Sequence, residues 1–329
     1  MKVVGVNGFG RIGRYFTRLT LDNPTLDVAV VNDLADVKTL AHLLKYDSIH
    51  RGLKHEFEIK ENTIEFSNGK KIVFLAERNP ENIPWAKYGV EIVLESTGIF
   101  RTIELASKHL AGGAKKVVLS APALDNDIRT VVIGINDDLI ENSDLIISNA
   151  SCTTNSAAPM VQVMKDLCTI ESAFITTIHS YTSDQKLHDA PHSDLRRARA
   201  AAVSIVPTST GAAKALAKIF PELEGHIGGC GVRVPVPDGS MTDLTFVVKN
   251  PPTEQQINEA MKKASETYLK GIMSYTSDPI VSIDIIGDSN SCIFDAELTS
   301  VVGNMVKVVG WYDNEAGYSN RLVDLIQKI

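Results

Sequence analysis

A glycine-rich segment near the start of the chain constrains the fold more than any other feature. The segment GFGRIG, of the pattern GxGxxG, lies between the apolar run Lys2–Asn7 and the stretch Arg11–Leu21, whose apolar residues have helical spacing. At such a junction Gly8 permits a tight turn, Gly10 lets a pyrophosphate approach the backbone, and Gly13 allows the helix to pack closely on the strand. The helix start adds unpaired amide groups and the positive end of the helix dipole. The segment therefore predicts a strand–turn–helix that binds a nucleotide.

The chain up to about residue 150 alternates strand-like and helix-like segments. Because strands that are buried on both faces and separated by helices indicate a parallel sheet, we expect an α/β, doubly wound Rossmann domain over residues 1–150. Residues His55–Phe74 alternate instead like a small hairpin insert, with a turn at Ser67-Asn68-Gly69. The expected strands after Lys2–Asn7 are Val28–Asn32, Glu91–Leu94, Lys116–Leu119, Thr130–Ile133 and Leu145–Ser148, and the expected helices are Asp36–Leu44 and Ile103–Leu110.

Beyond residue 150 the pattern changes to that of an α+β domain with a mostly antiparallel sheet. Ala157–Leu167 is helix-like, and this helix begins either at Ser151 with a kink or at Pro159. Thr253 and Gln256 form a capping box before a further helix. The expected strands are Ala173–Ile178, Gly231–Pro235, Leu244–Val248, Ile280–Ile285, Cys292–Asp295 and Val306–Val309.

The end of the chain carries an apolar stripe that a helix must bury. Leu322, Leu325, Ile326 and Ile329 lie at helical spacing. We therefore expect a C-terminal helix, residues 315–329, that packs back on the first domain. This leaves residues 151–314 as a separate catalytic and substrate-binding domain.

Composition excludes several functional classes. The 329 residues carry a net charge of −7, which argues against a general nucleic-acid binder. No apolar run approaches the roughly 18–20 residues of a membrane span, and Met1–Asn7 lacks the apolar core of a signal peptide. The four cysteines, at 152, 168, 230 and 292, form no CxxC pair. We therefore expect a cytoplasmic protein with reduced thiols and no metal site.

Asp33 ends the second expected strand, 20 residues after Gly13. An acidic residue at this place can bind the hydroxyl groups of a ribose, although an aspartate that caps the following helix is the alternative. A carboxylate about 4 Å from a 2′-phosphate would cost roughly 4 kcal/mol per charge pair at an effective dielectric constant near 20. Leu34 adds no cation to offset that cost. Asp33 therefore favours NAD over NADP.

Cys152 lies at a strand-to-helix junction among small polar residues, in the segment SNASCTTN. Such a setting lowers the pKa of a thiol and supplies donors for an oxyanion, whereas a buried structural cysteine is the alternative interpretation. A reactive cysteine pairs with a histidine distant in sequence. Among eight histidines we favour His179, which ends the apolar strand Ala173–Ile178. His109 and the other histidines of the first domain are expected to be surface or helix residues.

Seven motifs in the same order along the chain make the sequence similar to the glyceraldehyde-3-phosphate dehydrogenase family. They are NGFGRIGR at 7–14, SNASCTTN at 148–155, HSYTSDQ at 179–185, DLRRARAAA at 194–202, PTSTGAAKA at 207–215, RVPVP at 233–237 and WYDNEAGYS at 311–319.

The resemblance implies roles for individual residues. Cys152 resembles the nucleophile and His179 resembles the base that activates it and later acts as an acid. The residues that resemble the site of inorganic phosphate are Ser151, Thr153, Thr210 and Gly211, and those that resemble the substrate site are Thr182, Asp184, Arg197 and Arg233. The residues that resemble NAD contacts are Arg11, Ile12, Asp33, Arg78, Thr97, Ser120 and Asn314, with Asn314 orienting the nicotinamide amide. For Arg199 we favour a solvated basic face.

The resemblance also implies the reaction and the assembly. The expected activity is glycolytic and gluconeogenic oxidation of D-glyceraldehyde 3-phosphate with NAD and inorganic phosphate, through a cysteine thioester. The polar stretch 180–202 resembles a loop that packs against a neighbouring subunit, in a homotetramer. The alternatives are an erythrose-4-phosphate dehydrogenase, against which the PTSTGAAKA stretch argues, and a cofactor-binding scaffold without catalysis.

A few positions depart from the family pattern. Ser156 stands where many relatives carry a second cysteine, and Ser183 replaces a common asparagine. The pair Ala190-Pro191 mixes the leucine-proline of NAD-specific relatives with the alanine-serine of NADP users. The degree of NADP use therefore stays open.

Overall fold

The computed structural model covers residues 1–329 and divides the chain into two compact units. The first unit consists of Met1–Val131, Asp138–Ala150 and Ser319–Ile329, and the second of Val132–Asp137 and Ser151–Tyr318. No helix combines the length and the apolar character that crossing a membrane would require.

The first unit contains a nine-stranded sheet with the strand order β3-β4-β5-β2-β1-β6-β7-β9-β8. The pairs from β5 to β8 are parallel, and only β3–β4 and β4–β5 are antiparallel. The strands are β1 (Lys2–Asn7), β2 (Leu26–Asn32), β3 (Phe57–Lys60), β4 (Thr63–Phe66), β5 (Lys71–Leu75), β6 (Ile92–Glu95), β7 (Lys116–Leu119), β8 (Arg129–Thr130) and β9 (Ile146–Ser148), and the helices are α1 (Arg11–Thr20), α2 (Val37–Lys45) and α3 (Ile103–Ala111).

The strand order creates a topological switch point between β1 and β6. The chain runs from β1 to β2 on one side of β1, and β6 pairs with its other side. In open α/β sheets, ligands bind outside the carboxyl ends of the strands at such a point. The central strands are Val-rich and buried on both faces, which confirms the predicted doubly wound parallel sheet.

The second unit contains an eight-stranded sheet with the order β11-β12-β10-β13-β17-β15-β14, and β16 pairs with β17. Only β10–β12 and β14–β15 are parallel, which confirms the predicted mostly antiparallel sheet. The elements are α4 (Cys152–Leu167), β10 (Thr169–Ser180), β11 (Val206–Thr208), α5 (Ala212–Ile219), β12 (Ile227–Val234), β13 (Ser240–Lys249), α6 (Glu254–Glu266), β14 (Met273–Thr276), β15 (Cys292–Asp295), β16 (Ser300–Val302), β17 (Met305–Tyr312) and α7 (Ala316–Lys328), whose residues from Ser319 onward belong to the first unit.

Helix α4 resolves the ambiguity about its start. It begins at Cys152, with Ser151 as the N-cap, and Pro159 lies inside it. The Ser151 side chain accepts a hydrogen bond from the Thr154 amide at 3.1 Å. Because the first-turn amides have no partner within the helix, this cap sets the start about two turns before the proline.

Two predicted strands are wrong in whole or in part. Residues 280–285 form turns instead of a strand, because Asp284 accepts a hydrogen bond from the Val281 amide at 2.8 Å. The predicted strand Thr130–Ile133 ends at Thr130, because the Asn136 side chain accepts a hydrogen bond from the Val132 amide at 2.8 Å. In both places an Asx-type hydrogen bond competes with the strand ladder. Strands β11, β14 and β16 were not predicted.

Both ends of α7 are held by side chains. The Asp313 side chain accepts hydrogen bonds from the amides of Glu315 and Ala316 at 2.8 and 2.7 Å, which satisfies donors at the helix start. Within the first unit, the Lys2 ammonium donates to the carbonyl groups of Ile326, Gln327 and Ile329 at 3.2, 2.8 and 3.0 Å. A cation at the carboxyl end of a helix also interacts favourably with the helix dipole.

Candidate active site

The glycine turn between β1 and α1 leaves open space at the start of the helix. Gly8 has φ +93°, and a Cβ there would lie 2.7 Å from the Thr97 amide nitrogen. A Cβ at Gly13 would lie 2.2 Å from the Gly8 carbonyl oxygen, whereas one at Gly10 would meet nothing within 4 Å. Gly10 is also the N-cap of α1 and supplies no side-chain cap. The turn therefore keeps free the volume toward which the first helix amides point, and this fits a dinucleotide phosphate.

Asp33 lies beside this turn, at the end of β2. Its Oδ2 accepts a hydrogen bond from the Phe9 amide at 2.8 Å, and its Oδ1 accepts from the Ala35 amide at 3.1 Å. The Gly8 amide donates to the Asn32 carbonyl at 2.9 Å, which fixes the turn against β2. The carboxylate is held at the carboxyl edge of the sheet, where a ribose acceptor is needed.

The other predicted cofactor residues of the first unit lie along the same edge. Thr97 and Ser120 follow β6 and β7, and Arg78 is exposed after β5. Ile12 and Gly13 belong to the first turn of α1. Carboxyl ends of parallel strands meet at one edge, so the structure brings these positions to the same side of the sheet.

Arg11 uses its guanidinium within the protein. Its Nη1 and Nη2 donate to the two oxygens of Asp47 at 2.5 and 3.1 Å. Burial raises the pKa of Asp47, but Arg11 and the amides of His50 and Ile49 outweigh it and lower that pKa to about 2. The backbone amide of Arg11, at the start of α1, is then the group that can face a phosphate.

Cys152 and His179 come into direct contact in the second unit. The Cys152 Sγ lies 3.4 Å from the His179 Nε2, and Cys152 as a whole residue is half-buried. Cys152 is the first residue of α4, and the preceding Ala150 has φ +55°, a conformation that is uncommon for a residue with a Cβ. His179 lies near the end of β10 and is buried. The thiol–imidazole pair predicted from sequence thus has the geometry of a nucleophile and its base.

The environment keeps both groups neutral at rest. Burial raises the pKa of the Cys152 thiol, and Arg233 and the Thr153 amide only partly oppose it. Burial and, to a smaller extent, the charge of Arg233 together lower the pKa of His179 to about 3. The expectation that this junction lowers the thiol pKa is therefore wrong for the resting protein, because desolvation disfavours the thiolate more than the neighbouring donors favour it.

Arg233 is placed next to His179 by strand pairing. His179 and Arg233 are partners in the parallel pair β10–β12. The Arg233 Nη1 lies 2.5 Å from the His179 Nδ1 and donates to the Ser180 carbonyl at 3.1 Å. The same carbonyl lies 2.7 Å from Nδ1. The two contacts of Nδ1 require different tautomers. With the proton on Nδ1, the ring donates to Ser180 and its Nε2 lone pair faces the sulfur, as a base requires, whereas donation from Arg233 to Nδ1 would place the proton on Nε2.

A second cluster gathers the remaining substrate candidates. Arg197 donates from Nη1 to Asp184 at 2.7 Å and from Nε to the Thr208 hydroxyl at 2.8 Å. Thr182 donates to the other oxygen of Asp184. The Thr210 hydroxyl accepts a hydrogen bond from the Ala212 amide at 3.2 Å, and Gly211 is the N-cap of α5. Arg197 is thus fixed beside the segment that leads to Thr210 and Gly211.

Two buried hydroxyl networks support these residues. The Asn314 Oδ1 accepts hydrogen bonds from the hydroxyls of Ser180 at 2.9 Å and Ser240 at 2.7 Å, which fixes the amide orientation. The Tyr312 hydroxyl lies 2.9 Å from that of Thr153 and 2.8 Å from that of Thr177. Sequence reasoning missed Tyr312, Ser180 and Ser240, although Ser180 and Tyr312 fall within quoted motifs.

Comparison with known proteins agrees with this geometry. The family model for the glyceraldehyde 3-phosphate dehydrogenase NAD binding domain matches residues 2–103, and the model for the C-terminal domain matches residues 151–314. Glyceraldehyde-3-phosphate dehydrogenase 2 of Streptomyces avermitilis is 54% identical over 98% of this chain and 96% of that protein. The glyceraldehyde-3-phosphate dehydrogenases of Mycobacterium avium and Geobacillus stearothermophilus are 53% and 52% identical over 98% of this chain and 97% and 96% of their own lengths. With both domain models matched and relatives similar over nearly the whole length, the chain belongs to the glyceraldehyde-3-phosphate dehydrogenase family and is an NAD-dependent dehydrogenase.

Proposed function

We propose that the chain oxidises D-glyceraldehyde 3-phosphate to 1,3-bisphosphoglycerate with NAD and inorganic phosphate, through a thioester on Cys152. The observation that carries this proposal is the 3.4 Å contact between the Cys152 Sγ and the His179 Nε2. A neutral imidazole beside a thiol can take its proton at the moment the sulfur attacks a carbonyl carbon.

The first half of the reaction forms and oxidises a thiohemiacetal. The Cys152 sulfur adds to the aldehyde carbon, and the thiol proton passes through His179 to the aldehyde oxygen. Bound NAD supplies the acceptor for the hydride that this carbon then loses. His179 takes the hydroxyl proton as the carbon–oxygen bond becomes a carbonyl, and the product is an acyl thioester. Amide groups at the start of α4 stabilise the developing oxyanion.

The second half of the reaction releases the product. An oxygen of inorganic phosphate attacks the thioester carbon, the carbon–sulfur bond breaks, and the thiolate leaves. The imidazolium of His179 lies next to the departing sulfur and can return its proton. Ser151, Thr153, Thr210 and Gly211 are the proposed phosphate site, because hydroxyls and N-terminal helix amides are donors to phosphate oxygens.

Arginine side chains hold the anionic substrate. Arg197 and Arg233 each have donors beyond the hydrogen bonds they make within the protein, and a guanidinium binds phosphate through paired donors. Asp184 and Thr208 fix the plane of the Arg197 guanidinium. Thr182, which donates to Asp184, completes the proposed substrate site.

For NAD we propose the contacts that the resemblance to the family implies. The turn at Gly8, Gly10 and Gly13 admits the phosphates, and Asp33 accepts from the ribose hydroxyls. The Asn314 Oδ1 accepts from Ser180 and Ser240, so Nδ2 is the group that we assign to the nicotinamide carboxamide. The other proposed contacts are Arg11, Ile12, Arg78, Thr97 and Ser120.

We further propose two domains and a cytoplasmic homotetramer. The domains are residues 1–150 together with helix 315–329, and residues 151–314. Support for the tetramer comes from the loop 180–202 and the segment after it, where large apolar side chains are exposed in the single chain. Contiguous exposed apolar surface marks a protein interface.

A single assay tests the reaction. The chain is mixed with NAD and D-glyceraldehyde 3-phosphate, or with erythrose 4-phosphate, in the presence and absence of inorganic phosphate. We expect a burst of one NADH per active site without phosphate, sustained turnover with it, and no burst in Cys152→Ser. Sustained turnover without phosphate, preference for erythrose 4-phosphate, or normal turnover by Cys152→Ser would contradict the proposal.

A further inference from the structure

Two buried ionisable side chains of the first unit take no part in the chemistry described above. Glu95 is 2% exposed and His109 is 0% exposed, and their Oε2 and Nε2 atoms are 3.0 Å apart. Glu95 ends β6, and His109 lies on α3, where sequence analysis expected a surface or helix residue. A buried carboxylate is costly unless hydrogen bonds replace its hydration, so the surroundings of Glu95 require an explanation.

Four donors surround the carboxylate of Glu95. Oε1 accepts from the amide of Thr97 at 2.8 Å and from the Thr97 hydroxyl. Oε2 accepts from the Asn7 side-chain amide at 2.6 Å and faces the His109 Nε2. All four groups act as hydrogen-bond donors. An ionised carboxylate can accept from all four, and no neutral side chain of the same size can do so.

Trp85 fixes the direction of the hydrogen bond from His109. The indole Nε1 of Trp85 lies 3.2 Å from the His109 Nδ1. An indole N–H is only a donor, so Nδ1 must accept and the ring proton resides on Nε2. His109 therefore donates to Glu95, and the chain of hydrogen bonds runs from Trp85 through His109 to the carboxylate.

Glu95 lies at the topological switch point of the sheet. It pairs in register with Asn7 at the carboxyl ends of β1 and β6. The next residue, Ser96, donates from its hydroxyl to the Gly8 carbonyl at 2.6 Å and from its amide to the Asn7 carbonyl at 2.8 Å. The carboxylate therefore bonds directly to Thr97, a predicted cofactor contact, and to Asn7, the residue before the glycine turn.

We propose that Glu95 is a positioning residue for NAD and that His109, oriented by Trp85, holds its carboxylate in place. The proposal rests on the assignment of Thr97 and the glycine turn to the NAD site under the proposed function. Loss of the His109 donor lets the carboxylate turn, which moves Thr97 and loosens the glycine turn. NAD affinity is the quantity that changes, whereas the thiol chemistry of the second unit is untouched.

Paired substitutions at His109 test this. Glutamine places an amide nitrogen three bonds from Cβ, as in histidine, and keeps a donor for Glu95, whereas leucine has similar bulk and no donor. We expect the Kd for NAD, measured by calorimetry on the full chain, to rise at least tenfold in His109→Leu and to stay within threefold in His109→Gln. Ile72→Ala, a change of a buried residue on β5 outside this set, controls for a general loss of stability and should change the Kd less than twofold.

A spectroscopic measurement needs no altered His109. The chain has two tryptophans, at 85 and 311, so 5-fluorotryptophan labelling gives two ¹⁹F signals, assigned with Trp85→Phe. Because coupling between two sites is reciprocal, saturating NAD should shift the Trp85 signal in the wild type and leave it unshifted in Glu95→Gln.

The outcomes separate this inference from the proposed function. Equal NAD affinity in His109→Leu and His109→Gln, an equal loss in Ile72→Ala, or an unmoved Trp85 signal would overturn the positioning role while the wild type still binds NAD and turns over. Failure of the proposed reaction would instead appear as a wild type that binds NAD and forms no burst. If His109→Leu does not fold, Glu95→Gln replaces it with the same tenfold expectation, because its amide group would face donors.

Discussion

Arg233 acts on two neighbouring groups whose proton affinities determine the chemistry. Its positive charge opposes the effect of burial on the pKa of Cys152 and adds to the effect of burial on the pKa of His179. One guanidinium therefore favours the thiolate and keeps the imidazole able to accept a proton. At the scale of single residues, Arg233 combines this electrostatic role with its proposed contact to substrate.

Replacement of Arg233 by glutamine tests the electrostatic role. The cation lowers the pKa of Cys152, so its loss should raise that pKa, and the rate of alkylation by iodoacetamide should reach its half-maximum at a higher pH. At a fixed pH below that midpoint, the reaction should therefore be slower than in the wild type. Arg199→Gln removes the same charge from an exposed position and should leave the profile unchanged. An unshifted profile in Arg233→Gln would show that the thiol does not sense this charge.

Sequence patterns identified residues at element junctions better than residues buried between elements. Cys152, His179 and Asp33 could be found because each follows or precedes a recognisable strand or helix. Glu95 and His109 could not, since their partners lie far away in the sequence and no local pattern signals the contact. The one available signal was a charged residue at the end of the apolar run of β6.

At the scale of elements, local hydrogen bonding explains both the successes and the errors of prediction. The capping box of Thr253 and Gln256 is present as predicted, because its two bonds depend only on neighbouring residues. The strand expected at 280–285 is absent, because the Asp284 side chain accepts a hydrogen bond from the Val281 amide there. Alternation of apolar residues alone does not distinguish a strand from an exposed turn, and Ile283 is exposed.

The cap on the carboxyl end of α7 is the basis of a stability prediction. Lys2→Met keeps most of the aliphatic length and removes the donor to three carbonyl groups. We expect a loss of about 1–2 kcal/mol in the free energy of unfolding, as for a charged hydrogen bond at a helix end. Hydrogen exchange should increase first in residues 322–328. The exposed Lys38→Met is the control, and equal stability of the two variants would contradict the cap.

At the scale of the whole molecule, one surface region carries several large apolar side chains that are exposed in the single chain. Leu187, Leu195, Val203 and Ile205 are 74, 82, 80 and 70% exposed, and they fall in or just after the loop 180–202. Isolated exposed apolar residues are ordinary, but four such residues within 19 positions support the proposed subunit interface.

A charge within that surface should break the assembly. We expect Leu195→Asp to reduce the molar mass measured by light scattering from a tetramer to a smaller species at micromolar concentration, because the carboxylate would be buried without a partner. Leu139→Asp changes a residue of the first unit that is 53% exposed and should leave the mass unchanged. A tetramer that survives Leu195→Asp would place the interface elsewhere.

The parallel pairing of β10 with β12 has a consequence for how the chain can vary in length. His179 and Arg233 stand opposite each other in that pairing. Because successive side chains point to opposite faces, one residue inserted into either strand before these positions would turn imidazole or guanidinium away from the sulfur. The sheet pairing therefore excludes insertions and deletions within these two strands, whatever the reaction. We expect differences in chain length only in the connections outside this strand pair.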